Sequence, residues 1–364
     1  MQLLINMRFR RIIAYFFLAV ILPFCAVEIL LRLFDDVEDF SVQLNDQFDL
    51  RQPEPYIMFQ PTADSDSEII ISDEISHVKT NSAGFRYDVE VPLQKDNGEI
   101  RIFMLGGSVV FNGLKNSTTI AGILEKRLQK HYPDRKIRCI NTGIVSANSD
   151  QLLVLLVKKI VDFRPDIILV LDGFNDLNIA YNYEPRLGYP YNWVTIENAQ
   201  KQNAVIRRAI RELSFIDSWF ATSRIITKLN PSWSFENRIV QSIYIETSEL
   251  NSLPEMGEIV NHLMLNWFKM DLISKGFGAK MVALLQPMNP KARSLAHYKP
   301  FYETANTVIN KMRNENGLHF YSFDRILYAN GFDFYDVVHT RDNSHIVLAE
   351  KIEDLLFKID FLPK

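Results

Sequence analysis

The chain has 364 residues, 47% of them hydrophobic and 23% charged, with a formal net charge of −4. This is ordinary globular composition for one large α/β domain with insertions or for two domains, and the charge gives no global pull toward nucleic acid. The two cysteines, Cys25 and Cys139, make a disulfide framework improbable, and no Cys/His spacing resembles a zinc site.

Residues 12–31, IIAYFFLAVILPFCAVEILL, are apolar except for Glu28. About 20 residues at about 1.5 Å rise cross a hydrocarbon core of about 30 Å, so residues 12–34 are expected to form a transmembrane anchor. Arg8, Arg10 and Arg11 precede the run, and Asp35, Asp36, Glu38 and Asp39 follow it. The positive-inside rule places residues 1–11 in the cytoplasm and the bulk of the chain in the periplasm or outside the cell. Glu28 and Arg32, four apart, are expected to pair at the outer end of the helix. A cleaved signal peptide is the competing reading; against it, the apolar run is long and no A-x-A-like site follows. Bulky Phe24 before Cys25 argues against a lipoprotein site.

Residues 35–98 are expected to be a linker and accessory segment: 35–66 are polar and acidic, and 67–95 read as short strands and turns. From residue 99 a β/α alternation begins. The expected elements are a strand at 101–105 ending in Gly-Gly, a helix at 118–131, a strand at 136–141, a helix at 149–163 and a strand at 166–171. Residues 177–255 interrupt this order as an insertion, with helices expected at 203–229. The alternation resumes with a helix at 256–275, a strand at 280–286, a helix at 298–314, a strand at 318–322 and a helix at 343–358. Short apolar strands alternating with amphipathic helices imply a parallel sheet covered on both faces. The expected fold is a three-layer α/β/α sandwich of about five strands over residues 99–360.

Ligands of open α/β sheets bind at the carboxyl ends of the strands. Four features fall there: Gly106-Gly107-Ser108, Asn141-Thr142-Gly143, Gly173-Phe174-Asn175-Asp176, and Asp336-Val337-Val338-His339 before the last helix. A serine hydroxyl needs an adjacent base to act as nucleophile. His339 can take the Ser108 proton, and Asp336, three residues earlier, can hold the other ring nitrogen. The Ser108 and Gly143 N–H groups and the Asn175 amide can donate to a developing oxyanion. Asp176 is expected to hold its own loop, and His345 to serve the core or a helix cap. GGSVVFNG does not match the dinucleotide pattern G-x-G-x-x-G, strand two ends in Asn141 rather than an acid, and no phosphate-binding P-loop is present. Tyr181, Tyr183, Tyr189, Tyr191 and Trp193 are expected to cover the sheet edge, with sugar stacking or an acyl pocket as the alternative. Arg207, Arg208 and Arg211 read as a solvated helix face.

These blocks resemble the SGNH/GDSL hydrolase family over roughly residues 100–358. The family's Ser, Gly, Asn and His occur in order as Ser108, Gly143, Asn175 and His339, within intact GFND at 173–176 and DVVH at 336–339. NSAGFR at 81–86 resembles a segment that precedes the first block in membrane-anchored relatives. Gly107 stands where the family's Gly-Asp-Ser has Asp. The resemblance implies a flavodoxin-like sandwich and a serine esterase with no cofactor or metal. It acts through an acyl-serine on an acyl ester, O-acetyl by expectation, of a cell-envelope glycan or lipid. Two alternatives share these residues: an O-acyltransferase, and a non-catalytic binding module that kept the fold.

Overall fold

The computed structural model describes residues 10, 14–34, 50–71, 74–183, 185–191, 193, 253–295, 298–328 and 333–362. The chain divides into two compact units, residues 1–43 with 194–250, and residues 44–193 with 251–364.

In the first unit, α1 (Leu22–Phe34) continues a π-helical turn at Phe17–Ile21. Pro23 has no N–H to offer the turn before it, and that turn is wide, with the Leu22 N–H donated to the Phe17 carbonyl. Ala14–Leu31 is long and apolar enough to cross a membrane, and its side chains are almost all exposed. The expected Glu28–Arg32 pair rests on an Arg32 side chain outside the described residues, as do the helices at 203–229 and Arg207, Arg208 and Arg211.

The second unit opens with two antiparallel hairpins, β1 (Arg51–Glu54) with β2 (Met58–Pro61) and β3 (Asp66–Ile71) with β4 (Glu74–Lys79). The first of them replaces part of the expected linker. β1 is polar and carries Pro53, while β2 (MFQP) packs Phe59 into the core; two four-residue strands are too short to show an apolar periodicity.

The sheet follows as β5 (Ile100–Gly106), β6 (Ile137–Asn141), β7 (Ile167–Asp172), β8 (Lys280–Leu285) and β9 (Phe320–Ser322). All neighbours are parallel, in the order β6-β5-β7-β8-β9. Every residue of β5, β6 and β7 is buried, as continuous apolar runs require when helices cover both faces. The connecting helices are α2 (Ser108–Phe111), α3 (Ile120–His131), α4 (Ser149–Lys158), α5 (Phe174–Asn182), α6 (Met256–Gly276), α7 (Pro290–Arg293), α8 (Tyr298–Asn316) and α9 (Asp342–Lys358). α3 packs with α9, while α6 packs with α4 and α8. Right-handed crossovers put these two groups on opposite faces.

Local chemistry sets the boundaries. Thr119 caps α3 through the Gly122 N–H, and Asn148 with Gln151 forms a capping box on α4. Gly84 sits at φ +73° where an added Cβ would stand 2.7 Å from the Pro61 carbonyl oxygen. Only glycine fits that close approach between the NSAGFR turn and the first hairpin.

The strand order reverses between β5 and β7, so a crevice opens at their carboxyl ends. Ser108 follows β5 there, and Asn175 follows β7.

Candidate active site

Ser108 is the first residue of α2, a single turn that leaves the buried end of β5 through Gly107. His339 Nε2 lies 2.6 Å from Ser108 Oγ, and His339 Nδ1 lies 2.6 Å from Asp336 Oδ2. A carboxylate only accepts, so Nδ1 carries the proton and Nε2 is left to accept from the serine hydroxyl. Asp336 also holds its own loop: Oδ1 accepts from the N–H groups of Val338 (2.9 Å) and His339 (2.7 Å). Burial pushes the Asp336 carboxyl up, but the hydrogen bond and charge of His339, with those two N–H groups, bring it below its usual range. It is therefore ionised at neutral pH.

Neighbours the sequence did not mark hold this loop. The Tyr335 ring stacks on the His339 imidazole, with centroids 5.7 Å apart and planes 11° from parallel. Burial and nearby Asp336 push the Tyr335 phenol up, so it stays neutral. The Asn289 side chain donates to the Asp336 carbonyl (3.1 Å), and the Asn289 N–H to the Val337 carbonyl (2.9 Å). The Asn112 amide, just after α2, donates to the Thr340 carbonyl at 2.7 Å. The serine helix and the histidine loop are thus tied directly, although 228 positions separate these two residues. An asparagine one turn from a serine gives no sequence signal of this kind.

The expected oxyanion donors are the Ser108 and Gly143 N–H groups and the Asn175 amide. As the first residue of a helix, Ser108 has an N–H with no intrahelical partner. Asn175 donates one amide hydrogen to the Ala147 carbonyl at 2.7 Å, which leaves its second. That amide lies against Gly107: an added Cβ would stand 2.4 Å from Asn175 Nδ2. Glycine at position 107 makes room for it.

Gly143, the third expected oxyanion donor, has its N–H engaged here. Its N–H is donated to Asn141 Oδ1 at 3.0 Å, and its Cα packs on the α2 backbone, where an added Cβ would meet the Phe111 nitrogen at 2.6 Å. The glycine is there for this close approach. Three residues on, Ser146 sits at φ +63° in a turn closed by the Ala147 N–H on the Ile144 carbonyl, and it lines the same pocket as Ser108 and His339. A left-handed serine costs on the order of 1–2 kcal/mol, and backbone of this kind gathers at functional sites. The Ser146 N–H donates to no protein group among the described residues.

Asp176 is buried and accepts from Ser149 Oγ (2.5 Å) and the Ser149 N–H (3.1 Å), so it fixes the start of α4. His345 is fully buried in the first turn of α9, with Nδ1 3.0 Å from the Thr118 carbonyl. His345 thus serves the core as expected, whereas Asp176 holds the start of α4 and not its own loop; neither lines the Ser108 pocket. Tyr183 packs edge-on against Tyr191 and Tyr189 against Trp193, and none of them lines that pocket. No group of three His, Cys, Asp or Glu side chains could hold a metal ion among the described residues.

The pocket beside Ser108 and His339 has a volume of about 240 Å³ and is walled by Phe111, Ile144 and Val145, with Leu50, Arg51 and Pro61 of the first hairpin region. The arrangement offers a hydroxyl, a base with an oriented ring and several N–H donors around one space, the equipment of acyl transfer through serine.

No protein-family model and no curated protein matches the chain. Among solved structures, the chain is similar to an acetyl xylan esterase at 11% identity and a TM-score of 0.40, covering 70% of this chain and 98% of that one. It is similar to an acetylxylan esterase from Geobacillus stearothermophilus at 12% identity and a TM-score of 0.43, covering 71% of this chain and 94% of that one. With TesA it shares 14% identity at a TM-score of 0.42, covering 72% of this chain and 99% of that one.

Proposed function

We propose that this chain is a serine esterase that hydrolyses an acyl ester, O-acetyl by preference, on a cell-envelope glycan or lipid. Residues 12–34 anchor it, with the catalytic unit on the periplasmic or outer side. The observation that carries the reading is the line from Ser108 Oγ through His339 to Asp336, with both contacts at 2.6 Å. The order of the four sequence blocks supports it.

In this reading Ser108 Oγ attacks the ester carbonyl carbon while His339 Nε2 takes its proton. The carbonyl oxygen becomes an oxyanion that accepts from the Ser108 N–H, the Asn175 amide and the Ser146 N–H, which takes the place expected of Gly143. Each such donor is worth about 2.7–4 kcal/mol of barrier. Collapse of the tetrahedral intermediate breaks the bond to the alcohol oxygen, which leaves with the proton from His339. Water then repeats the sequence on the acyl-serine, releasing the acid and restoring Ser108. The exposure of the pair, 23% for the His339 side chain and 42% for Asp336, gives water access and favours hydrolysis over transfer to a sugar hydroxyl.

The test is an ester panel, including acetylated glycans and lysophospholipids, run on wild type and Ser108→Ala. The variant should lose at least about 10³-fold in turnover, as expected for a serine nucleophile, and should no longer label with a fluorophosphonate. Equal turnover in the two proteins would overturn the reading. Acetyl groups recovered on an added glycan instead of as free acetate would replace hydrolysis by transfer.

A further inference from the structure

α6 (Met256–Gly276) is apolar on two sides. Its inner side buries Ile259, Leu263, Trp267 and Met270 in the core. Its outer side exposes Glu258, Asn261, Leu265, Phe268, Leu272 and Lys275, and every other residue from 258 to 275 is buried or half-buried. These six are spaced three and four residues apart in alternation, which is the seam of a helix that pairs with another helix. The middle of the seam is Leu265, Phe268 and Leu272, with Leu265 49% and Leu272 53% exposed. The outward face of a surface helix is ordinarily polar, and a helix apolar all round is an interior one. The ends of the seam carry opposite charge, Glu258 in the first turn and Lys275 in the last. The Lys275 ammonium lies 2.6 Å from Asp271, but the lysine is exposed and that carboxylate is buried, so the surface presents the cation.

We propose that this seam binds the same seam of a second copy of the chain, antiparallel and about a two-fold axis. The order of residues along the seam selects that partner. An antiparallel pairing centred between Asn266 and Trp267 sets Leu265 against the partner's Phe268, Asn261 against the partner's Leu272 and Glu258 against the partner's Lys275. A two-fold axis makes each of these contacts twice. Over about 26 Å of helix the pairing therefore has apolar contacts in the middle and an acid against a base at each end. A parallel pairing sets Glu258 against the partner's Glu258 and Lys275 against the partner's Lys275, and like charges brought together are costly. A lipid surface is met by helices whose polar flanks are basic, which the acidic end of this seam does not suit. The proposal goes beyond the esterase reading and does not depend on it. The anchor proposed with that reading would concentrate copies in one plane, which lets a two-helix seam hold them together.

Disulfide trapping tests this in the full chain, reconstituted in phosphatidylcholine vesicles. The background is Cys25→Ser, which leaves only the buried Cys139. Two single-cysteine chains are made, Asn261→Cys and Leu272→Cys, at exposed positions that the pairing sets opposite each other. Mixed in equal amounts and mildly oxidised, they should link one of each into a covalent dimer. Either chain alone should link at least about tenfold less, because its two sulfurs lie roughly 16 Å apart along the paired helices. Leu265→Glu and Phe268→Glu, added to both chains, should abolish the mixed dimer by putting four carboxylates into the middle of the seam. Both positions are exposed, so far-ultraviolet circular dichroism should stay unchanged and show that the fold is kept. Three results overturn the proposal. The first is no mixed dimer, which leaves the seam to another occupant. The second is each chain linking with its own kind as well as with the other. The third is a mixed dimer that survives the glutamates, which is collision in the membrane. None of these readouts uses turnover, so loss of the esterase reading leaves the test intact.

Discussion

Asp336 fixes the imidazole of His339 from one side while its other oxygen holds the backbone of the same loop. Replacing it by Asn tests these two duties together. The amide can still accept one backbone N–H, so the loop can close, but it presents a donor where Nδ1–H must be received. The ring is then driven toward the tautomer with Nε2 protonated, which cannot take the Ser108 proton. In the proposed mechanism Asp336→Asn should lower kcat by about 10³–10⁴-fold, as loss of the orienting carboxylate does in other serine triads. KM should move little, because the lost interaction is made in the transition state. Steady-state kinetics on the best ester of the panel decides it, and a loss of only a few-fold would remove Asp336 from that role. Gly107 is the companion case at this scale. Its missing Cβ is the space against which the Asn175 amide rests, so glycine at this position is a packing requirement.

α2 carries the serine on one turn, and a helix that short has almost no stability of its own. Arg86, from the NSAGFR segment, supplies an external hold. It is 1% exposed, and it donates to the carbonyls of Phe111 (2.5 Å) and Gly113 (2.7 Å) and to Asn116 Oδ1 (3.0 Å). Arg86→Met would leave the Phe111 carbonyl buried and unpaired and take one donor each from the Gly113 carbonyl and Asn116 Oδ1, which keep Ser76 Oγ and the Lys79 N–H, at a cost of about 2–4 kcal/mol. That corresponds to a fall in melting temperature of roughly 5–12 °C. Arg86→Lys should recover only part of it, because an ammonium cannot span three acceptors in a plane. Thermal unfolding of the three proteins checks this, and an unchanged midpoint in Arg86→Met would show that the clamp is not needed. The sequence marked NSAGFR by resemblance but not this duty, which needs the far turn to be known.

The strands of the sheet could be read because buried parallel strands are written as continuous apolar runs, and β5, β6 and β7 begin and end within about a residue of expectation. The ends of those strands brought Ser108 and Asn175 into view for the same reason, while His339 came from the block before the last helix. What escaped was set by backbone geometry. The hairpin β1–β2 is too short to show an apolar period, and the proposal of Ser146 over Gly143 as a donor turns on which N–H is already taken and which φ is positive.

At the scale of the whole molecule, the main sheet ends in a buried polar layer whose protonation should govern stability. Asp172, at the end of β7, is fully buried, and burial with nearby Asp176 pushes its carboxyl well above the usual range. Burial also raises Asp176 to about 6, against the hydrogen bonds from Ser149 and with Asp150 adding to the rise. A carboxyl raised on folding stabilises fully below its unfolded value of about 4, and that contribution is lost as the pH rises through the folded value. His345 runs the other way. Burial lowers it, so its contribution is present above the unfolded value of about 6.5 and is lost as the pH falls. The two effects oppose each other across the same window, and melting of the wild type alone would blur them. Asp176→Asn separates them, because the variant keeps His345, Asp172 and the His262–Asp150 pair (2.7 Å) but has no carboxyl to ionise at position 176. At pH 5 the variant should be the less stable protein, since an amide fits the two Ser149 donors no better than a neutral acid. Between pH 5 and pH 8 the wild type should lose ground to it by on the order of 1–3 kcal/mol. Melting curves of both proteins at the two pH values, in the same detergent, measure that difference. If the gap stays constant, Asp176 is already ionised throughout, and the layer is held by charge rather than by a shared proton.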